Sequence, residues 1–176
     1  MAKTSFVFIL MIFTMIIASC DEPVKNNVGV DSARLKETLV KVNKKYLEVE
    51  NTQIDDFMRR RAWTDFKKSK SGLRYFIYKK GVGKMPIAGS TIGIEYSIMD
   101  IKGNQIYDSE KLGNKIFVVD KNEEPSGLNE AVKLMKLGAK AKLIIPSYLA
   151  YGLIGDENKI GQKATLIYDI YLVEVR

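Results

Sequence analysis

The chain has 176 residues, of which 46% are hydrophobic and 28% are charged, with a formal net charge of +7. This balance is typical of a globular protein with one domain and extensions, and it argues against a disordered chain. The sequence contains no histidine and a single cysteine. These counts exclude histidine bases, histidine metal ligands and intramolecular disulfides. The lysines are scattered without interleaved aromatic residues, so we expect no nucleic-acid partner, and the residues suggest no metal or cofactor.

Residues 1–20 predict an export signal. Lys3 precedes an apolar run from Phe6 to Ile17 that is too short to be a convincing membrane-spanning helix. The run leads into Ile17-Ala18-Ser19-Cys20, which resembles the bacterial lipobox, whose cysteine is lipidated and becomes the new N-terminus. An ordinary signal peptide that happens to hold a cysteine is the alternative. The lipobox interpretation predicts a cell-envelope protein, lipid-anchored through Cys20 to the periplasmic side of the outer membrane.

Residues 21–30 are polar and predict a flexible tether, and residues 31–70 predict a helical spacer. Asp31 or Ser32 is expected to cap this helix, and Gly72 to stop it. Its apolar stripe consists of Leu35, Leu39, Val42, Tyr46 and Val49, extended with a shift in face by Ile54, Phe57 and Met58. The stripe either packs on the following domain or forms a homodimer, because two heptads are too few to predict a coiled coil.

Residues 71–176 change to a period of two, which predicts strands that are half buried on one face. The alternating sets begin at Leu73, Ile92 and Leu166, and a turn is expected at residues 100–104. One short helix is predicted between Ser126 as its cap and Gly138 as its stop. Its predicted apolar face carries Leu128, Val132 and Met135. The expected fold is therefore α+β, a curled antiparallel sheet wrapped over one short helix and preceded by an amphipathic helical segment.

Several short motifs in this region add to the periodicity. In chain order they are Ile94-Glu95-Tyr96, Tyr107-Asp108-Ser109, Ser126-Gly127-Leu128, Gly138-Ala139-Lys140-Ala141, Pro146-Ser147-Tyr148-Leu149-Ala150-Tyr151-Gly152 and Ala164-Thr165-Leu166-Ile167-Tyr168-Asp169. In this order and spacing they resemble the FKBP-type peptidyl-prolyl cis-trans isomerases along residues 71–176. The residues from Tyr148 to Gly161, the lipobox and the spacer are also similar to the FKBP lipoproteins associated with gliding motility in Bacteroidetes. The resemblance implies proline-containing polypeptide clients among envelope or surface proteins.

Prolyl isomerisation suits a chain without histidine, because the bond only rotates over a barrier of about 18–20 kcal/mol. A thousand-fold acceleration requires about 4 kcal/mol of selective stabilisation. The resemblance implies catalytic roles for Asp108, Tyr151 and Tyr96: Tyr151 would donate a hydrogen bond to a substrate carbonyl, and Asp108, oriented by Tyr96, would act through its field. The resemblance implies that these three residues surround one apolar slot, the proline slot, together with the substrate-binding residues Tyr107, Phe117, Leu128, Ile160 and Tyr168.

Each of these residues has a plainer interpretation by itself. An aromatic residue on a half-buried strand is usually core, and an aspartate such as Asp108 is more often a turn residue. The site prediction therefore depends on the joint order and spacing of the motifs.

Two departures from the family pattern concern the base of the slot. Leu128 stands where the family commonly has tryptophan, which leaves a looser floor. Pro125, which follows Glu124, has no backbone N–H, so one substrate hydrogen bond worth about 1 kcal/mol is in doubt. These departures favour the alternative of a non-catalytic FKBP-fold binding module or chaperone in an envelope assembly.

A third departure concerns the wall of the slot. The segment between Asp108 and Glu124 differs in length from the family pattern. Lys115, Ile116 or Phe117 could therefore take the wall position, and Phe117 is our choice.

Overall fold

The computed structural model of the protein describes residues 31–121 and 124–176. The predicted export signal, Cys20 and the tether lie outside these residues. The helices are α1 (Ser32–Arg60), α2 (Ser109–Leu112) and α3 (Ser126–Val132), and a 3-10 turn covers Ser147–Leu149. The strands are β1 (Lys67–Lys68), β2 (Arg74–Lys79), β3 (Thr91–Asp100), β4 (Gln105–Asp108), β5 (Lys115–Val118), β6 (Lys140–Ile145) and β7 (Leu166–Val175). In this part of the chain no helix is long and apolar enough to cross a membrane.

One antiparallel sheet contains all seven of these strands, in the order β1-β2-β6-β7-β3-β4, with β5 also paired to β3. The longest ladder joins β3 to β7, from Ile92 opposite Val175 to Asp100 opposite Leu166. Along β3 the predicted alternation holds, because Ile94 and Ile98 are buried whereas Glu95 between them is exposed. The predicted α+β fold with an antiparallel sheet is confirmed, and the sheet is open.

The sheet buries apolar side chains on both faces. On the inner face, α3 packs Leu128 and Val132 into a large cluster that receives the inward residues of the strands. On the outer face, Ile54 and Phe57 of α1 form a smaller cluster with Ile144 of β6 and Ile167 of β7. The second half of α1 is therefore part of the folded domain and covers one end of its sheet.

Helix α1 begins where the sequence predicts and ends earlier. The Ala33 N–H donates to the Asp31 carboxylate at 3.1 Å, which confirms Asp31 as the cap. The prediction of helix up to Gly72 is wrong, since the helix stops at Arg60 and Ala62 adopts a positive φ of 53°. The reason is aromatic packing: Trp63 meets Phe57 edge-on at 5.5 Å and stacks on Phe66 at 5.0 Å, which turns the chain back toward the sheet.

The apolar stripe divides into two parts. Residues 42–176 form one compact unit, in which Val42 and Val49 are 59% and 43% exposed and Ile54 is fully buried. In the described residues 31–41, Leu35 and Leu39 are also about half exposed. The second set of residues therefore packs on the domain, together with Tyr46 of the first set, whose hydroxyl donates to the Lys163 carbonyl at 3.3 Å. The homodimer stays a prediction for the exposed residues of the first set.

The turns and the short helix agree in position and differ in detail. The predicted turn at residues 100–104 is confirmed, with the Asp100 carboxylate accepting the N–H groups of Lys102 and Asn104. Helix α3 ends at Val132, before the predicted stop at Gly138. Its N-cap is Pro125, and the expected cap Ser126 is its first helical residue. Proline suits this place because the first N–H groups of a helix have no intrahelical partner.

Candidate active site

Seven of the eight predicted slot residues belong to the large inner cluster. Those that are buried are Tyr96 on β3, Phe117 on β5, Leu128 on α3, Ile160 in the β6–β7 loop and Tyr168 on β7. Tyr107 and Tyr151 are partly buried and pack against the same cluster. Inward alternation on β3 and β7 brings two of the tyrosines to this face, where α3 supplies the floor. These seven side chains therefore lie in one largely buried, mostly aromatic part of the domain.

Two tyrosine hydroxyls lie in this apolar environment. Burial raises the pKa of Tyr151 to about 12, and the charge of Glu124 adds to the effect. Burial also raises the pKa of Tyr168, with Tyr151 and Glu124 contributing. In the described part of the chain the buried Tyr168 hydroxyl makes no hydrogen bond of ordinary geometry, and the nearby Tyr151 hydroxyl is only a weak partner. A buried hydroxyl without a good hydrogen bond costs about 1–3 kcal/mol, which a bound carbonyl group could offset.

The loop that carries Ile160 is held in place by a carboxylate. Asp156 accepts hydrogen bonds from the Tyr107 hydroxyl at 2.5 Å and from the Ile160 N–H at 2.7 Å. Burial by itself would raise the pKa of Asp156, but these hydrogen bonds hold it below its ordinary value. Asp156 is not among the predicted site residues, although Asp-x-Asn after Gly155 is a turn signal that indicates such local bonding.

Asp108 is occupied as a helix cap. Its carboxylate accepts the Lys111 N–H at 3.0 Å and lies 3.5 Å from the Lys111 ammonium group. Lys111 therefore orients the Asp108 carboxylate, a role that was expected of Tyr96. The backbone N–H of Tyr96 donates to the neighbouring Ser109 hydroxyl at 3.0 Å. The plainer interpretation of Asp108 as a turn residue therefore describes its contacts, and its field effect on a substrate stays a prediction.

The wall next to Tyr96 includes a lysine. In the β3–β5 ladder Phe117 lies opposite Ile92 and Lys115 opposite Ile94, so both side chains point to the inner face. Phe117 is buried in the cluster, whereas the Lys115 ammonium group stands 5.6 Å from the centre of the Tyr96 ring. The wall position was left open among Lys115, Ile116 and Phe117, with Phe117 preferred, and the side chains of Lys115 and Phe117 share the inner face.

Comparison with known proteins identifies the fold. The sequence model of the family of FKBP-type peptidyl-prolyl cis-trans isomerases matches residues 83–173, just over half of the chain.

The chain belongs to this FKBP-type family.

Relatives and solved structures agree with this assignment. FkpA of Neisseria meningitidis serogroup B is 37% identical over 120 residues, which cover 68% of this chain and 44% of that protein. FkpA of Escherichia coli strain K12 is 33% identical over 110 residues, which cover 62% of this chain and 40% of the relative. This chain therefore spans less than half the length of these curated relatives. The crystal structure of Escherichia coli FkpA aligns with a TM-score of 0.65 at 25% identity, covering all of this chain and 82% of that one. A peptidyl-prolyl isomerase from Pseudomonas syringae aligns with a TM-score of 0.64 at 26% identity, covering 75% and 94%.

A buried glutamate of α1 fastens the β6–β7 loop of this FKBP-type domain. Glu50 is 3% exposed and accepts the Ser147 N–H at 2.7 Å, the Ser147 hydroxyl at 3.1 Å and the Thr165 hydroxyl at 2.7 Å. Ser147 and Thr165 lie at the two ends of the loop that carries Tyr151 and Ile160. Glu50 therefore closes the base of the loop, a role that sequence analysis did not assign.

An open groove of about 650 Å³ lies on the outer face of the FKBP-type domain and is lined by Tyr78, Glu95 and Tyr171. Asp108 borders this groove as well, because it ends the edge strand β4. Tyr96 of the proline slot also reaches this groove, whereas the lining contains neither Tyr151 nor Tyr168. The described residues contain no group of three or more acidic or cysteine side chains arranged to hold a metal ion.

Proposed function

We propose that this chain is a peptidyl-prolyl cis-trans isomerase whose active site is the proline slot. The observation that carries the proposal is the proximity of Tyr96, Tyr151 and Tyr168, since the first two act on the pKa of the third, within the inner cluster that also contains buried Leu128. Membership of the FKBP-type family supports it.

The proposed mechanism requires no proton transfer. The aromatic walls hold the proline ring and exclude water from the amide, which favours the less polar twisted form and strengthens the remaining dipoles. Because the pKa of Tyr151 is about 12, its hydroxyl stays protonated at neutral pH and donates a hydrogen bond to a client carbonyl. A difference of about 4 kcal/mol between the twisted and planar states gives about a thousand-fold acceleration.

A peptide isomerisation assay on the purified full chain tests the proposal. We expect accelerated cis-to-trans relaxation of a proline peptide, reduced in Tyr151→Phe and in Asp108→Ala. Tyr148→Phe is the matched control, because Tyr148 belongs to the same motif but its hydroxyl donates to the Ser71 carbonyl at 2.8 Å. A protein that leaves the relaxation rate unchanged would overturn the isomerase proposal.

A non-catalytic binding module is the second candidate function. Pro125 at the N-cap of α3 offers no N–H to a ligand, and the Asp108 carboxylate is engaged by Lys111. Both features would weaken catalysis more than capture of a proline segment. Suppression of client aggregation that survives Tyr151→Phe and Asp108→Ala would favour this candidate.

We infer further that the chain acts in the cell envelope on proline-containing envelope or surface proteins, and that the gliding-motility machinery is among its clients. Support comes from the lipobox at Cys20 and from the loop sequence that resembles the Bacteroidetes lipoproteins. Labelling of cells with a fatty-acid analogue tests the anchor, since Cys20→Ser should abolish incorporation.

The exposed residues of the α1 stripe support a homodimer. Sedimentation of the full chain beside Leu39→Glu tests this proposal, because Leu39 is 52% exposed and its replacement leaves the inner cluster intact. A native protein with the mass of a monomer would refute the dimer.

A further inference from the structure

An ion pair forms part of the rim of the proline slot. The Lys115 ammonium group lies 2.8 Å and 3.0 Å from the two carboxylate oxygens of Glu124. The side chains are 25% and 10% exposed, so the pair is largely withdrawn from water but still open on one side. It connects β5 to the segment that enters α3, the two elements on either side of the slot floor.

Both charges act on the tyrosines of the slot. Lys115 stands 5.6 Å from the centre of the Tyr96 ring, a cation–π distance. After burial, the charge of Glu124 is among the causes that raise the pKa values of Tyr151 and Tyr168. The ion pair therefore borders three of the four tyrosines of the proline slot.

A client held in the slot brings its neighbouring residue to this pair. Consecutive Cα atoms are about 3.8 Å apart. If the proline ring packs on Tyr96, the side chain of the residue next to it can therefore reach the Lys115 ammonium group, which lies 5.6 Å from the centre of the Tyr96 ring. The rotating bond joins the proline to its preceding residue, which must therefore lie beside the slot.

The ion pair treats polar and apolar client side chains differently. A large apolar side chain would remove the remaining water from both charges and give no hydrogen bond in return, which is costly for a largely buried pair. A neutral amide can donate to Glu124 and accept from Lys115, and it opposes neither charge.

We propose that Lys115 and Glu124 make the slot selective for clients with a neutral polar residue, such as glutamine, before the proline, and disfavour leucine there. This inference rests on the proposed function, since it places the client proline among the slot tyrosines.

The test compares two peptides that differ only in Gln or Leu before the proline. For each, kcat/KM is measured by isomerisation and Kd by NMR titration, with the native chain and with Lys115→Met/Glu124→Met. Replacing a buried ion pair by apolar residues of similar size is often neutral for stability, so this variant should fold. We expect the native chain to favour the glutamine peptide about fivefold or more, and the variant to favour the leucine peptide by a similar factor.

A second ion pair, between the loop after β5 and the residue that follows α3, provides the control. Lys133 lies 2.7 Å from Asp120, with both side chains more than a third exposed. The variant Asp120→Asn/Lys133→Met should leave the peptide ranking unchanged.

A native preference for leucine, or a ranking that the Met/Met variant leaves unaltered, would overturn the proposal. If the native chain binds both peptides with the expected ranking but accelerates neither, the isomerase function fails and the selectivity stands. If the Met/Met variant does not fold, the native ranking of Kd values decides.

Discussion

Replacing Glu50 by alanine is expected to destabilise the protein by about 3–5 kcal/mol. The carboxylate of Glu50 accepts three hydrogen bonds, from the Ser147 N–H, the Ser147 hydroxyl and the Thr165 hydroxyl. All three residues are buried, so alanine would leave the Ser147 N–H and the Thr165 hydroxyl without an acceptor, and the Ser147 hydroxyl with only the Tyr46 hydroxyl at 3.5 Å. Each unsatisfied buried donor costs about 1–3 kcal/mol, and rearrangement of the hydroxyl groups recovers part of the sum. Glu50→Gln keeps one acceptor oxygen and should cost about 1–2 kcal/mol.

Urea unfolding followed by circular dichroism measures these differences, provided that the m-value is unchanged. Glu48→Ala is the matched control, because Glu48 lies on the same helix but its side chain is 56% exposed. Its loss should change the free energy of unfolding by less than about 0.5 kcal/mol. If Glu50→Ala costs no more than Glu48→Ala, the loop is held by other contacts and the reasoning fails.

Three further predictions concern the slot and the outer face. Tyr151→Phe should lower kcat/KM about fivefold with an unchanged circular dichroism spectrum, because one hydrogen bond of about 1 kcal/mol is lost. Since the pKa of Tyr151 is about 12, a decline in native activity between about pH 7 and pH 9 would contradict its assigned role as a hydrogen-bond donor. Folding lowers the pKa of Asp156, so its stabilising contribution is present above the unfolded value of about 3.9 and is lost as the pH falls through the lower folded value. Asp156→Asn should therefore reduce the acid dependence of the urea midpoint below about pH 4. An unchanged dependence would count against the Tyr107–Asp156 hydrogen bond. Arg74→Met should lower the free energy of unfolding by about 1–3 kcal/mol, measured by thermal unfolding, because the buried Arg74 guanidinium donates to the Gly72 carbonyl and to two side chains of α1. A change near zero would show that α1 is held on the sheet by its apolar residues alone.

Regular patterns made the sheet and most of the site predictable. The inward residues of β3 and β7 repeat with period two, and the motifs that contain Tyr96, Tyr151 and Tyr168 lie in the order of the family. The local sequence also predicts the turn at Asp100, because an aspartate followed by glycine and asparagine tends to accept hydrogen bonds from the backbone N–H groups that follow it, here those of Lys102 and Asn104.

Other features depend on contacts between distant residues. The end of α1 is decided by the stacking of Trp63 on Phe66, which no helical periodicity contains. Glu50 looks like an ordinary solvent-facing residue in a charged helix, and its partners lie about a hundred residues further along the chain. The wall position near Tyr96 follows from the register of β5 on β3, which is a pairing of separate segments and cannot be counted along the sequence.

The position of α1 on the sheet bears on where this domain can be cut. The family match begins at residue 83, and a protein shortened to that point would lose the cover over Ile144 and Ile167 together with β1 and β2. Its loop would also lack the acceptor at residue 50. The compact unit is therefore longer than the region that the family model matches, and a fragment for crystallisation or NMR should start near Val42, where that unit begins.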